Sequence, residues 1–251
     1  DALTALRWET FGARHDQASA PVVVVALDEE TYKTPPFEGS PTLTWTTEIG
    51  RVLNAVIDGG AKVVGFDIVF PYSIEQSEIP FGEERVGTRM RGFDRDYLRA
   101  LATGASGGKI VLGEIHQRDF SERPSQGQRV AVRQQQNIRA LNVYVDPDEV
   151  VRRLPASFAT DAGRVPSMAV ELAALAANVQ PAFDEDGNLT FSGHRVAGGQ
   201  CPVGHRAERL AAVSAAEVAQ RLGALDEDHV VQLVEIPFVV EELIKHPVAR
   251  R

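Results

Sequence analysis

The stretch that decides the fold runs from residue 21 to residue 70. It opens with PVVVVALD at 21–28, continues with TTEIGRVLNAVIDGG at 46–60 and closes with KVVGFDIVF at 62–70. The outer pieces are rich in β-branched residues without polar alternation, which predicts strands buried on both faces, as in a parallel sheet. The middle piece places one apolar helical face at Ile49, Val52, Leu53, Val56 and Ile57. Strand, helix and strand form a βαβ unit, which predicts an α/β fold.

The rest of the chain continues the alternation of strands and helices. We expect a helix over 93–103, a strand at 109–114 and a helix opened by Pro166-Ser167. A long exposed loop, containing a short strand at 129–132, is predicted over 117–138. The remaining predictions are strands at 139–145, 150–158 and 230–234, a hairpin over 181–197 turning at 186–188, and helices at 214–222 and 238–245.

These elements predict a single α/β domain over residues 1–251. Its central sheet is expected to be mixed and largely parallel, flanked by helices, with an added antiparallel hairpin region. We assign residues 21–235 to the α/β core, residues 1–14 to a short helix and residues 236–251 to a C-terminal helix. No internal repeat or low-complexity linker divides the chain, so one domain fits better than two.

Composition excludes several classes of protein. The chain has 251 residues, with 26 Lys and Arg against 35 Asp and Glu, and a net charge of −9. This acidic balance argues against nucleic-acid binding, because phosphate contacts need clustered basic side chains. The single cysteine, Cys201, excludes an internal disulfide and a multi-cysteine metal site. No apolar stretch reaches about 18 residues, the minimum for a membrane-spanning helix.

Three predicted strands end in acidic residues, Asp28, Asp67 and Glu114. Ligands of open parallel sheets bind beyond the carboxyl ends of the strands, so these carboxylates would converge there if the strands are neighbours. Their oxygens suit Mg²⁺ or Ca²⁺, and equally a cationic or hydroxyl-rich molecule. The competing interpretation makes Asp28 and Asp67 caps of adjacent helices or loops. Glu30 adds negative charge at the same edge.

Trp45 and Arg51 are further candidates near this edge. The Trp45 indole would form a wall of the crevice or, alternatively, anchor its loop onto the core. Arg51 faces away from the apolar face of the helix at 46–59 or borders it. It would bind an anionic ligand, pair with Asp67 or Glu30, or form an ordinary surface salt bridge.

His116 follows Glu114 with one residue between them, so both side chains point to one face of a strand. Such a pair would titrate near neutral pH and act as a pH-sensitive element. The six histidines show no zinc-binding spacing, so no metal is assigned. The sequence also lacks a Gly-x-Ser-x-Gly elbow and a phosphate-binding loop, so no catalytic residue is assigned.

Six segments, in order, resemble the second type of CHASE domain, the cyclase- and histidine-kinase-associated sensory extracellular domain. They are PVVVVALDEETY (21–32), GAKVVGFDIVF (60–70), FDRDYLRALATGASGGKIVLGE (93–114), VYVDPDEVVRRLPASF (143–158), VPSMAVELA (165–173) and VSAAEV (213–218). Asp28, Trp45 and Arg51 match that family's strand-end acid, loop tryptophan and helical basic residue. Asp94 or Asp96 matches the acid of its Asp-x-x-Leu helix. The resemblance covers about residues 1–222.

The resemblance implies a sensor rather than an enzyme. Such domains lie outside the cytoplasmic membrane, and a transmembrane bacterial receptor joins them to a cytoplasmic adenylate or guanylate cyclase, histidine kinase or protein kinase. The helix at 1–14 would then be a membrane-proximal stalk, and the domain would lie on the periplasmic side of the cell membrane. We expect an unidentified small-molecule ligand, a homodimer and a membrane tether, with no nucleic acid and no cofactor.

The expected function is therefore sensory. The candidate ligand-binding residues are Asp28, Glu30, Trp45, Arg51, Asp67, Glu114 and His116. A ligand bound among them would shift the population between domain or dimer arrangements that control the output domain. Two alternatives stay open: a metal-dependent hydrolase that uses the strand-end carboxylates, and a structural dimerisation module without a ligand.

Overall fold

A mixed six-stranded sheet forms the centre of the fold. The computed structural model describes residues 22–117, 120–143, 154–160, 163–184, 187–191, 193–196, 212–213 and 230–235. Their strands are β1 (Val22–Leu27), β2 (Val63–Asp67), β3 (Pro80–Phe81), β4 (Glu84–Arg85), β5 (Ile110–His116), β6 (Ser121–Glu122), β7 (Ile138–Ala140), β8 (Leu154–Pro155), β9 (Ser157–Thr160), β10 (Gly163–Pro166), β11 (Ala182–Phe183), β12 (Leu189–Phe191), β13 (His194–Val196), β14 (Ala212–Val213) and β15 (Val230–Glu235). Their α-helices are α1 (Glu29–Tyr32), α2 (Thr46–Asp58), α3 (Val86–Arg89), α4 (Arg95–Ser106), α5 (Gln126–Ala131) and α6 (Met168–Ala177).

Strand order and direction confirm the predicted α/β class. β1, β15, β2 and β5 lie side by side in that order, and every neighbouring pair is parallel. β7 pairs parallel with β5, whereas β6 pairs antiparallel with the last two residues of β5. Small antiparallel pairs accompany this sheet, among them β9 with β10 and the three strands β11, β12 and β13. The sheet is therefore mixed and largely parallel, with an added antiparallel hairpin region.

The position of β1 corrects one expectation. β15 lies between β1 and β2, pairing Leu27 with Glu235 on one side and Asp67 with Val234 on the other. β1 is therefore the outer strand of the described sheet, and the first three of its valines are 43–57% exposed rather than buried on both faces. β2 lies inside the sheet and is buried from Val63 to Phe66, as predicted.

Helices cover both faces of the sheet. On one face, α2 and α4 form the larger core with the strands; its fully buried residues include Ile49, Leu53, Phe66, Tyr97, Leu101 and Leu112. On the other face, α6 contributes Met168 and Leu172 to a smaller core with Val63 and Val111. Because successive strand residues point to opposite faces, Phe66 faces α2 and α4, whereas Gly65 and Asp67 face α6.

Two glycines allow these helices to approach closely. A Cβ added to Gly50 of α2 would lie 3.1 Å from the Cα of Tyr97 in α4. A Cβ added to Gly65 of β2 would lie 2.6 Å from Cδ1 of Leu172 in α6. The absence of a side chain at each position therefore permits the helix crossing on one face and the helix–sheet contact on the other.

Local capping explains where the helices begin and end. The helix predicted at 46–59 is α2, which ends at Asp58; Gly59 is its C-cap with φ −69°, and Gly60 then has φ +97°. The helix opened by Pro166-Ser167 is α6. The Ser167 hydroxyl accepts a hydrogen bond from the backbone N–H of Val170, and Asn178 ends the helix in a left-handed conformation.

The short strand predicted at 129–132 is wrong, because α5 occupies 126–131. Gln128 and Val132 are both buried, and residues four apart share one face of a helix. The Gln128 side-chain amide donates to the carbonyl oxygen of Phe70 at 3.0 Å, and Val132 packs into the larger core. Because a polar residue, Gln128, lies on the buried face, the apolar spacing of this short amphipathic helix is not visible in the sequence.

Some predictions were confirmed only in part, and others lie outside the described residues. Of the strands predicted at 139–145 and 150–158, the structure describes β7, β8 and the start of β9. The strand predicted at 230–234 is β15, and the hairpin predicted at 181–197 has three short strands. The helices predicted at 1–14, 214–222 and 238–245 lie outside the described residues. No helix in the described part of the chain is long and apolar enough to cross a membrane.

Candidate functional site

A cavity of about 280 Å³ opens at the carboxyl edge of the sheet, beside the first turn of α6. The strand ends and α6 supply its lining residues, which are Asp67, Ala140, Leu141, Asn142, Val143, Leu154, Pro155, Ser167, Met168, Ala169 and Leu172. This is the region where open parallel sheets place their ligands. Of the predicted candidates, the cavity includes Asp67 alone.

Local structure explains why Asp67 faces this cavity. It is the last residue of β2, and strand alternation directs it toward α6 together with Gly65. The backbone N–H of Ser167 donates to the Ala156 carbonyl at 2.9 Å, which fixes the start of α6 against the segment between β8 and β9. Leu172, one turn further along α6, packs over Gly65 and forms part of the cavity wall.

Among the described residues that line the cavity, Asp67 is the one with an ionisable side chain. The Asn142 side-chain amide is engaged at both ends: it accepts from the His116 N–H at 2.8 Å and donates to the His116 carbonyl at 2.7 Å. Asp67 also takes part in an interaction within the chain. The described part of the wall therefore combines apolar side chains with one carboxylate.

Glu114 and His116 form a separate cluster on β5 and β6. The Glu114 carboxylate lies 3.1 Å from His116 Nε2 and 3.2 Å from Arg123 Nε. The side chain of Glu114 is only 12% exposed, against 36% for His116. The two residues contact each other as their spacing predicts, but strand alternation directs Glu114 to the face opposite Asp67.

This cluster has the order of groups found in a hydrolase triad, with Ser121 as the third member. His116 Nδ1 lies 3.1 Å from the Ser121 hydroxyl, and His116 Nε2 faces Glu114. His116 and Ser121 are direct cross-strand partners, and the Ser121 residue is exposed. None of the three lines the cavity, so their contacts describe a polar cross-strand cluster rather than a substrate site.

Asp28 serves as the N-cap of α1. Its carboxylate accepts hydrogen bonds from the Thr31 N–H at 3.0 Å and the Thr31 hydroxyl at 2.9 Å. These bonds stabilise the ionised form and hold the pKa of Asp28 below its ordinary value. Glu30 lies in the same short helix and is exposed. Asp28 and Asp67 are separated by the intervening strand β15, so the axes of their strands are about 9–10 Å apart.

Trp45 packs the loop before α2 onto the core. Its indole is 3% exposed and donates from Nε1 to the Ser40 hydroxyl at 2.9 Å. The ring centroids of Tyr32 and Phe37 each lie 5.0 Å from the Trp45 ring. This environment matches the anchoring role that was the alternative to a crevice wall.

Arg51 forms a surface ion pair with Glu48 on the same helix, at 2.8 and 2.9 Å to the two carboxylate oxygens. Its side chain is 72% exposed. It borders a shallow groove between α2 and α4, away from the cavity at Asp67. The structure thus brings Glu114 and His116 together and keeps Asp28 beside Glu30 at the start of α1, whereas Asp67, Trp45 and Arg51 lie in separate places.

The three strand-end acids do not meet at one point. Within the residues that the structure describes, no group of three or more His, Cys, Asp or Glu side chains is placed to hold a metal ion. The described residues therefore give no geometric support to the metal-dependent hydrolase.

A buried polar junction surrounds Asp94, and no sequence pattern predicts it. The Asp94 carboxylate is buried and accepts from the Thr46 hydroxyl at 2.6 Å and the Ser73 hydroxyl at 2.5 Å. Its backbone N–H donates to Glu75 at 2.7 Å. Asp96, the other match to the Asp-x-x-Leu helix, is 83% exposed and pairs with Arg99. Asp94 therefore joins the starts of α2 and α4 to the loop after β2.

Tyr97 lies beside this junction. Burial raises the pKa of the Tyr97 hydroxyl far above its ordinary value, and the Asp94 charge raises it further. The hydroxyl has no hydrogen-bond partner among the described residues. A tyrosine on the apolar face of a helix is typical of an ordinary core residue, so no pattern in the sequence predicts this environment.

Comparison with known proteins identifies one family. A family model described as the CHASE2 domain matches residues 1–235. No curated protein and no solved structure matches the chain.

Proposed function

Because the chain belongs to the CHASE2 domain family, a non-catalytic family of sensory extracellular domains found in signalling receptors, we propose that it is a ligand-dependent input domain. In this proposal the domain lies on the periplasmic side of a bacterial cell membrane and is tethered to it. Binding of a small molecule in the cavity at Asp67 controls a cytoplasmic adenylate or guanylate cyclase, histidine kinase or protein kinase. The receptor acts as a homodimer.

One observation carries the proposal: the cavity acid is the direct neighbour of β15, the most C-terminal of the described strands. Asp67 pairs with Val234 of β15, and β15 ends one residue later at Glu235. α6, which forms one wall of the cavity, contacts both β2 and β15. A ligand that moved α6 or the end of β2 would therefore act within one strand spacing, about 4.8 Å, of β15.

The proposed mechanism is a shift between two arrangements of the domain. A ligand changes their ratio only by binding one of them more tightly than the other. Moving the ratio from 1:99 to 99:1 needs a difference in affinity of about 10⁴-fold, and a smaller difference gives a graded response. Closure of α6 against the ends of β2 and β7 is a movement that would give the two arrangements different affinities for the ligand.

The experiment combines thermal melting with a variant that fills the cavity mouth. The 251-residue chain is melted against a panel of small metabolites, divalent cations and pH values. A ligand at a hundredfold excess over its Kd stabilises by about 2.7 kcal/mol, which raises Tm by roughly 5–10 °C for a chain of this size. Ala169→Phe places a ring at an exposed lining position of α6 and should abolish the shift. Ala55→Phe, at an exposed position of α2, should retain it.

The same two variants test signalling in the receptor. If the cavity controls output, Ala169→Phe changes basal or stimulated cyclase or kinase activity, whereas Ala55→Phe does not. Equal output from both variants and the unmodified receptor, under conditions in which the receptor responds, would reject the proposal.

Assembly through the outer edge of the sheet is a second candidate function. β1 presents a run of valines without charge, and Val22, Val23 and Val24 are 45%, 43% and 57% exposed. Such an edge is a template for pairing with another chain. A stable dimer that Val24→Lys dissociates, combined with no ligand response, would favour this role over sensing.

A further inference from the structure

The hairpin of β3 and β4 presents an exposed face that fits a second copy of this chain. We propose that two chains associate through this face, which carries Ile79, Phe81, Glu84 and Arg89 and which we name the hairpin face. The inference deepens the homodimer of the proposed function and rests on that function for the membrane tether.

Strand pairing places these side chains on one side of the hairpin. Phe81 pairs with Glu84, and the Val86 N–H donates to the Ile79 carbonyl at 2.9 Å. Alternate residues of a strand share a face, and directly opposed residues of two strands share one too, so Ile79, Phe81 and Glu84 point the same way. Arg89 of α3 joins them, with its guanidinium carbon 5.2 Å from the Phe81 ring centroid and its Nε 4.0 Å from Glu84.

The apolar part of the hairpin face is open to solvent. Ile79 is 64% exposed and Phe81 is 56% exposed. Single exposed apolar side chains are ordinary on protein surfaces, but here two of them lie side by side beneath an arginine. Aromatic residues and arginine are the types enriched where proteins meet.

The base of the hairpin is held against the core. A Cβ added to Gly87 would clash with the Glu75 carbonyl oxygen, so α3 lies directly against that segment. Ile74 is buried there, and the Glu75 side chain accepts from the Asp94 N–H at 2.7 Å. The hairpin face is therefore presented on a fixed base, which lowers the cost of ordering it on association.

The edge of β3 is a poor template for pairing with another strand. The bond between Val86 and Ile79 marks a hydrogen-bonded position, and such positions alternate with non-bonded ones, so residue 80 would point its N–H away from β4. That residue is Pro80, which has no N–H. Contact through the face is therefore favoured over addition of a strand.

The charges of the hairpin face are complementary to those of a second copy. Glu84 and Arg89 are 55% and 57% exposed, and their separation of 4.0 Å is at the outer limit of an ion pair. In a twofold arrangement the same patch lies on both sides of the contact. Glu84 of each copy then meets Arg89 of the other, on either side of an apolar centre formed by Ile79 and Phe81.

The size of the hairpin face predicts a weak contact. A stable interface covers about 800 Å² on each partner, far more than four partly exposed side chains supply. Tethering raises the effective concentration of two domains to the millimolar order, at which a weak contact forms. We expect the untethered chain to associate with a Kd of roughly 0.1–1 mM.

Sedimentation equilibrium of the 251-residue chain, at concentrations up to about 1 mM, tests the association. Phe81→Ser should weaken it by about tenfold or more. Phe120→Ser is the matched control, because Phe120 is 58% exposed and lies outside the hairpin, and it should leave the Kd unchanged. Melting curves check that both variants fold.

A charge exchange tests the twofold arrangement. Glu84→Lys and Arg89→Glu each place like charges across the contact, so each variant alone should associate about tenfold or more weakly. An equimolar mixture of the two variants should associate again, because every charge across the contact then meets its opposite. The pair within each variant chain stays broken in the mixture, so recovery reports a contact between copies.

Several outcomes would overturn the inference. They are no association up to about 1 mM, a loss that the mixture does not reverse, and association that Val24→Lys removes but Phe81→Ser does not, which would assign the contact to β1. Failure of the proposed function is recognised separately, because none of these variants lies in the cavity at Asp67. If Ala169→Phe leaves receptor output unchanged while the charge exchange works, the proposed function fails and the contact stands.

Discussion

Replacing Tyr97 with phenylalanine should stabilise the protein, although it changes a fully buried core residue. Tyr97 is 1% exposed and packs edge-to-face against Phe70, with ring centroids 6.3 Å apart. Its hydroxyl has no hydrogen-bond partner among the described residues. A buried donor without a partner costs about 1–3 kcal/mol of desolvation, which Tyr97→Phe removes.

A small void offsets part of this gain. Removing one oxygen leaves roughly 10–15 Å³, which costs about 0.3 kcal/mol at about 24 cal/mol per Å³. The expected net effect at pH 7 is therefore an increase of about 0.7–2.7 kcal/mol in the free energy of unfolding. Urea unfolding measures it, and an unchanged m-value would show that the unfolded state is not altered. Tyr72→Phe, at a position 75% exposed, should change stability by less than about 0.5 kcal/mol.

Alkaline pH provides an independent check on the same hydroxyl. Burial and the Asp94 charge raise the pKa of Tyr97 in the folded state, whereas in the unfolded state the hydroxyl ionises near pH 10. The contribution of Tyr97 to stability is therefore fully present below pH 10 and is lost as the pH rises above it. The advantage of the Tyr97→Phe variant should widen by about 1.4 kcal/mol between pH 7 and pH 11. A loss of 1 kcal/mol or more at pH 7 would show that the hydroxyl makes a bond, and would refute the reasoning.

Three further predictions address other parts of the structure. Asp94→Asn should destabilise by about 1–3 kcal/mol in urea unfolding, because the buried Asp94 carboxylate accepts from the buried Thr46 hydroxyl and the half-buried Ser73 hydroxyl. Asp96→Asn should cost less than about 1 kcal/mol, and equal effects of the two variants would contradict the buried junction. Gly113→Ala should cost about 1–3 kcal/mol, because the added Cβ would lie 2.7 Å from the Phe66 carbonyl oxygen, whereas Gly107→Ala has room and should be nearly neutral. Asn188 and Arg195 lower the pKa of Asp184 to about 2. The contribution of Asp184 to stability is therefore present above about pH 4 and is lost as the pH falls toward 2. An NMR titration of the Asn188 amide should show its midpoint near pH 2, and a midpoint near 4 would exclude these bonds.

Local features of the fold were predictable because local chemistry determines them. α2 follows from a single apolar stripe ended by two glycines, and α6 from Ser167 placed directly before an apolar run. β2 was predicted as buried on both faces, and its inner position in the sheet makes it so. α5 was not predicted, because its buried face includes the polar Gln128. The burial of Gln128 is compensated by a hydrogen bond to the Phe70 carbonyl, and a pattern of apolar residues does not reveal such a bond.

The candidate site was less predictable because it depends on which strands are neighbours. Strand ends converge only when the strands are adjacent, and here β15, from the far end of the chain, separates the strands that precede Asp28 and Asp67. Glu114 was assigned to the same edge, but the parity of its position on β5 directs it to the opposite face. The residues that line the cavity with Asp67 are mostly apolar, and nothing in the sequence distinguishes them from core residues.

The place of β15 links the stability of the sheet to the proposed signal. Without β15, neither β1 nor the facing edge of β2 would have a partner on that side, because each bonds to β15 along almost its whole length. The last strand of the core therefore completes the sheet and also leads to the segment that follows residue 235. A movement that loosened its pairing at Val234 would expose unpaired backbone groups of β2 beside the cavity, which is costly away from water. Transmission through β15 would therefore favour small displacements of the intact sheet over strand release, which is consistent with control by a ligand bound one strand away.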